Sequence, residues 1–179
     1  MFGRGVLLAA VLLMAGSAHA QPRPGPAGTC VNAAYNAIRG TWGPETSDFN
    51  PNHIPASAWQ IFRQDAEIML QLTNGDVNMW FLTEHGADFV RQTGRNEYEG
   101  VYIATRLLSC QAPENGQPAV VESMISLAPD SRILRERIEA VPGRFTITRF
   151  DPNSGEVVSE QRMRAYQPPP APAPLPRRR

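Results

Sequence analysis

From Asp65 to Glu84 the chain alternates apolar and polar residues on either side of an Asn74-Gly75 dipeptide. Both central residues of a type I′ turn need positive φ, a requirement that Asn-Gly meets well. Folding the segment there faces Thr73 with Asp76, Leu72 with Val77, Gln71 with Asn78, Leu70 with Met79, Met69 with Trp80, and Ile68 with Phe81. Successive side chains of a strand point to opposite faces. One face therefore collects Ala66, Ile68, Leu70, Leu72, Val77, Met79 and Phe81, all apolar. The other collects Glu67, Gln71, Thr73, Asp76 and Asn78, with Met69, Trp80 and Leu82 as apolar exceptions. Two arms that agree on one apolar face through one turn predict a hairpin with that face buried. The exceptions predict a cover over the polar face, supplied by an N-terminal helix, by a partner, or by a second layer of a sandwich.

The pattern predicts further elements on both sides. Val31, Ala34, Tyr35 and Ile38 recur at helical spacing within Cys30–Arg39, with Thr29 as N-cap and Gly40 closing the helix. Gly40-Thr41-Trp42 begins a strand, and the Pro- and Asn-rich stretch from Gly43 to Ser57 is a loop. Short strands are expected over 59–62, 87–93 and 119–127, and a long one over 98–110. The stretch Asp130–Val141 fits two readings. Leu134, Ile138 and Val141 share a helix face, but a turn at Ala128-Pro129-Asp130-Ser131 sets Ile125 opposite Leu134, Val121 opposite Ile138 and Glu122 opposite Arg137. The hairpin is favoured. Strands over 145–150 and 157–166, joined by a turn at Asp151–Gly155, complete about nine short strands. Turn-linked strands in series make an antiparallel meander, so the expected fold is all-β, a closed barrel with a β-sandwich as the alternative.

Composition adds a location. A charged start, an apolar run from Val6 to Gly16 and Ser17-Ala18-His19-Ala20 form the pattern of a secretory signal peptide cut after Ala20, against a buried N-terminal helix. The run is too short to span a bilayer, and no later stretch is long and apolar enough. The expected product is periplasmic or secreted, with a Pro/Gly leader at 21–29, a domain at 30–166, and a disordered Pro-rich tail ending in Arg177-Arg178-Arg179. The tail reads equally as a polyproline spacer that contacts an envelope protein and as a low-complexity terminus. Cys30 and Cys110 are the two cysteines, and export favours a disulfide between them over a free thiol.

All seventeen basic residues are Arg. Twelve of them face seventeen acidic residues between Cys30 and Tyr166, so the domain is acidic and nucleic acid is not its expected partner. Few catalytic or metal-binding arrangements suggest themselves. His53 and His85 lie in a loop and a turn, and the set offers no zinc spacing. Asp151 opens a calcium-like run whose twelfth position is Arg162 instead of Glu. Glu97 and Glu99 share a strand face, better read as surface charge than as a glycosidase pair. No catalytic, cofactor or metal residue is assigned, and the balance leans away from an enzyme.

A short helix running into Gly40-Thr41-Trp42, followed by a meander, resembles the lipocalin-like (calycin) barrels. That family opens its barrel with G-x-W and often lays a late-strand Arg over the Trp, a part for Arg149, Arg162 or Arg164. The chain lacks the family's Thr-Asp-Tyr turn motif, and it has polyproline where the family places a final helix. The resemblance implies a cavity for a small apolar ligand, lined by Trp42, Ile68, Leu70, Met79 and Phe81, in a non-enzymatic binding protein. The alternative is a structural or interaction module of the bacterial cell envelope with a solid core and a partner surface at Met69, Trp80 and Leu82.

Overall fold

The structure, a computed structural model, describes residues 26–83, 86–94, 97–127 and 130–167. The signal peptide expected over 1–20, His85 and the tail from Pro168 onward lie outside the described residues. A helix, α1 (Pro26–Asn36), precedes ten strands: β1 (Gly40–Pro44), β2 (Trp59–Arg63), β3 (Ile68–Thr73), β4 (Asp76–Thr83), β5 (Gly86–Gly94), β6 (Glu97–Gln111), β7 (Ala119–Leu127), β8 (Arg132–Val141), β9 (Arg144–Phe150) and β10 (Val157–Ala165). Each strand pairs antiparallel with the next, and β1 pairs with β10, so the meander closes as a barrel rather than folding over as a sandwich. Closure gives every strand a partner on both sides, although β1 meets β10 through only three residue pairs.

The two hairpins read from the sequence form in the expected registers. Asn74 and Gly75 have φ of 51° and 87°, and all six β3–β4 pairs match, from Ile68 opposite Phe81 to Thr73 opposite Asp76. Within Asp130–Val141, Arg132–Val141 is strand, with Ile125 opposite Leu134, Val121 opposite Ile138 and Glu122 opposite Arg137. Burial explains the choice. Leu134, Glu136, Ile138 and Ala140 are buried at alternate positions, a period of two, while Val141 is 37% exposed. A helix would have buried Val141 with Leu134 and Ile138.

The helix begins at Pro26, so the last residues of the leader expected over 21–29 belong to it. Proline suits a first helical turn because its missing N–H has no partner there anyway. Val31, Ala34, Tyr35 and Ile38 are buried, and α1 packs on β4, β6 and β7. The Cys30–Cys110 disulfide, with Cα atoms 6.2 Å apart, ties the helix to β6. Trp42 is buried and its Nε1 donates to the carbonyl of Ile38 at 2.8 Å, so the indole joins the first strand to the end of the helix. Its ring partner is Phe145, edge-on at 4.8 Å, and not one of the three arginines expected over it. Arg149 pairs with Glu136, Arg162 with Glu160, and Arg164 with Glu45 while lying over Phe49.

Outside the barrel, Tyr166 lies flat on β1. A Cβ built on Gly43 would stand 2.4 Å from the Tyr166 hydroxyl and 2.8 Å from two ring carbons. Phe49 holds the other side of that ring at 4.8 Å, so the tyrosine has little room to retreat. Gly43→Ala is expected to cost about 1–3 kcal/mol by overpacking. A fall of several degrees in Tm checks it, and an unchanged Tm would show that the tyrosine moves freely.

Inside and outside of the first hairpin are reversed from the expectation. Met69, Gln71, Asn78, Trp80 and Leu82 are buried in the barrel. Ile68, Leu70, Leu72, Val77, Met79 and Phe81 are half-buried on the outer wall. That wall continues through Phe62, opposite Leu70 on β2, and Val90, opposite Met79 on β5. Around the barrel the outer positions become charged, with Arg135, Arg137, Glu139, Glu160, Arg162 and Arg164 on β8 and β10. The physical reason is that α1 closes one end of the barrel and needs apolar partners inside. Met69, Trp80 and Leu82 join Val31, Ala34, Tyr35 and Ile38 in one core cluster.

Candidate ligand cavity in the open end of the barrel

Three rows of inward side chains climb the wall built by β3, β4 and β5. Met69, Trp80 and Phe89 are paired in register nearest the helix. Gln71, Asn78 and Arg91 form the next row, and Thr73 with Asp76 the rim. The wall therefore passes from apolar through amide to ionic as it leaves α1. It needs no long-range design beyond the hairpin register, because each row follows from the one below by a step of two residues.

The far wall has a matching row. Ser123, Glu136 and Arg149 are paired across β7, β8 and β9. The Arg149 Nε donates to the Glu136 carboxylate at 2.9 Å, and the Glu136 side chain is only 4% exposed. Taking such a carboxylate out of water is costly unless it is paired and hydrogen-bonded, which the guanidinium provides.

Between the walls lies a cavity of about 260 Å³. Trp59, Trp80 and Phe89 supply its aromatic lining, Gln71, Asn78 and Gln161 its amides, and Asp76, Arg91 and Arg149 its charges; Thr73 and Ile147 complete it. Tyr35 of α1 meets the Trp80 ring edge-on at 5.4 Å, and Phe89 meets it at 5.5 Å, so the indole is held from below and beside. Several polar atoms here are buried without a hydrogen-bond partner: Gln71 Oε1, Asn78 Oδ1, Trp80 Nε1 and, on the far wall, Ser123 Oγ. Buried polar groups in folded proteins are nearly all paired, so a cluster of unpaired ones marks a place where something else supplies the partners. A larger depression, about 480 Å³, lies outside the barrel along Arg39, Gln60 and Phe62, a surface crease rather than an enclosed site.

Comparison of the chain with family models, with curated proteins and with solved structures found no match.

The residues singled out from sequence are distributed as follows. Ile68, Leu70, Met79 and Phe81 face outward and do not line the cavity, and Trp42 lies in the core at the helix end. Met69, Trp80 and Leu82, expected as a covered patch or partner surface, are interior, and the helix does reach Trp80. Cys30 and Cys110 are bonded. His53 is exposed, in an outer groove with Phe49 and Tyr166. Asp151 makes a turn, its Oδ1 accepting the N–H groups of Asn153 and Ser154, both at 2.9 Å. Those two bonds favour the ionised carboxyl and hold its pKa below the usual value.

Gln71, Asn78 and Glu136 were missed. Gln71 and Asn78 stand on the polar face of the hairpin, opposite the apolar face expected to be buried. Glu136 was within reach of the pattern, because the register that buries Leu134 and Ile138 also turns position 136 inward.

Proposed function

We propose that this chain is a non-enzymatic binding protein that holds one small molecule in the open end of its barrel. The observation that carries this reading is the 260 Å³ cavity in which buried amide and indole atoms lack partners. Its lining favours an amphipathic ligand over the purely apolar one expected from the family resemblance. Aromatic side chains bury the ligand body, and a few placed polar groups orient it, the usual composition of a small-molecule site. The helix-then-G-x-W opening supports a lipocalin-like assignment. The Cys30–Cys110 disulfide is compatible with an oxidising compartment, and with the signal-like N-terminus it supports export to the periplasm or beyond.

The apolar outer wall of β2–β5 favours the second reading, an interaction module of the cell envelope, because large apolar patches rimmed by polar residues mark interaction sites. One experiment separates the two. The uncharged fluorescent probe N-phenyl-1-naphthylamine is titrated against the folded domain, a Thr73→Trp variant that plugs the cavity rim, and a Leu70→Ser/Met79→Ser variant that makes the outer wall polar. Saturable one-to-one binding is expected, lost in the rim variant and kept in the wall variant. The reverse pattern favours the interaction module, and no saturable binding overturns the cavity reading.

A further inference from the structure

We propose that the cavity selects a compact, uncharged aromatic molecule bearing an NH2 group, with that group bridging Gln71 and Asn78. The inference rests on the cavity reading and deepens it by naming the ligand's chemistry. Gln71 and Asn78 are directly opposite each other on β3 and β4. Directly opposed residues of an antiparallel pair have Cβ atoms about 4.5–5.5 Å apart and point to the same face. Both side chains are buried, at 5% and 7% exposure, both line the cavity, and the carbonyl oxygen of each lacks a donor. The Gln71 amide nitrogen is directed to Thr73 Oγ1 at 3.4 Å, which leaves its oxygen as the group presented to a ligand. Two neighbouring acceptors on one rung suit a single nitrogen carrying two hydrogens, one for each oxygen.

The row beneath sets the rest of the ligand. Trp80 and Phe89 lie two residues closer to the helix, their ring centres 5.5 Å apart at 59°, with Trp59 also lining the space. A ring attached to the bridging nitrogen would rest against these faces. Planar rings prefer offset or edge contacts of this kind, and two fused six-membered rings fit the available volume. Charge points to a neutral head group. The Arg149 guanidinium is engaged by Glu136, and the remaining lining charges, Arg91 and Asp76, offset each other. A neutral arylamine or primary aryl amide meets both conditions.

The test uses three probes of nearly equal size on the disulfide-bonded domain: naphthalene, 1-aminonaphthalene and 1-(dimethylamino)naphthalene. The amine is expected to bind at least tenfold tighter than its dimethyl counterpart, which offers no N–H, and tighter than naphthalene. Gln71→Met and Asn78→Leu should each shrink the tenfold ratio to within about twofold. Removing an unpaired buried amide should leave Tm unchanged or raised. Equal binding of the three probes overturns the NH2 bridge while leaving the cavity reading in place. Tighter binding of the dimethyl compound overturns it too. Binding of none of them overturns both. Should a variant fail to fold, the comparison of the three probes on the wild-type domain decides the matter.

Discussion

Replacing Cys30 and Cys110 together with serine lowers unfolding stability by roughly 4–5 kcal/mol, measured by urea denaturation against the oxidised domain. The bond joins residues 80 apart in sequence. In the chain-entropy account a cross-link removes conformational freedom from the unfolded chain, and a loop of this length is worth about 4.5 kcal/mol. Here the bond also fixes α1, whose Val31, Ala34 and Tyr35, with Ile38 just beyond its end, close one end of the barrel. Loss of the helix from that end would open Trp80 and Leu82 to water, so the double variant is expected to show red-shifted tryptophan fluorescence before global unfolding. A loss below about 1 kcal/mol with no shift would mean that α1 stays in place without its tether.

The second large effect concerns neighbouring residues of one strand. Met69→Ala should cost about 2–5 kcal/mol, because Met69 is 1% exposed and its truncation leaves a cavity in the core. Leu70→Ala should cost about 1 kcal/mol, because Leu70 stands half-buried on the outer wall and water can fill the space it leaves. Paired denaturation curves give both numbers. A larger cost at Leu70 than at Met69 would put the apolar face of the hairpin back inside. The contrast is sharp because the two residues differ by one position in the chain and by one face of the sheet.

That pair also shows where reading the chain succeeded and where it stopped. Asn74-Gly75 settles the turn, since few other residue pairs accept two positive φ values in succession. Once the turn is settled the register follows, and Gln71 must stand opposite Asn78. The same logic carries Ala128-Pro129-Asp130-Ser131 to the pairing of Ile125 with Leu134. A period of two, however, says only that two faces differ. It does not say which one is inside. In the second hairpin the apolar face is the buried one; in the first it is the outer wall.

The disulfide and the helix position were likewise unequal in legibility. Two cysteines in the chain leave a single intramolecular pairing. The helix was visible from Val31, Ala34, Tyr35 and Ile38, but its apolar stripe does not name the surface it covers. Glu136 and Arg149 are a further case. Each reads as an ordinary charged residue of a strand, and only the β8–β9 register puts them side by side within the barrel.

The sequence by itself determined the all-β meander, both hairpin registers and the Cys30–Cys110 bond, because these depend on local turn chemistry, on alternation and on there being two cysteines. Tertiary structure alone decided that the barrel closes, that α1 plugs one end, and that Gln71, Asn78 and Trp80 face a cavity while Leu70 and Met79 face outward. Those outcomes depend on which surface meets which across the whole chain. Burial belongs to the assembled barrel, and a strand in isolation carries two faces with no inside.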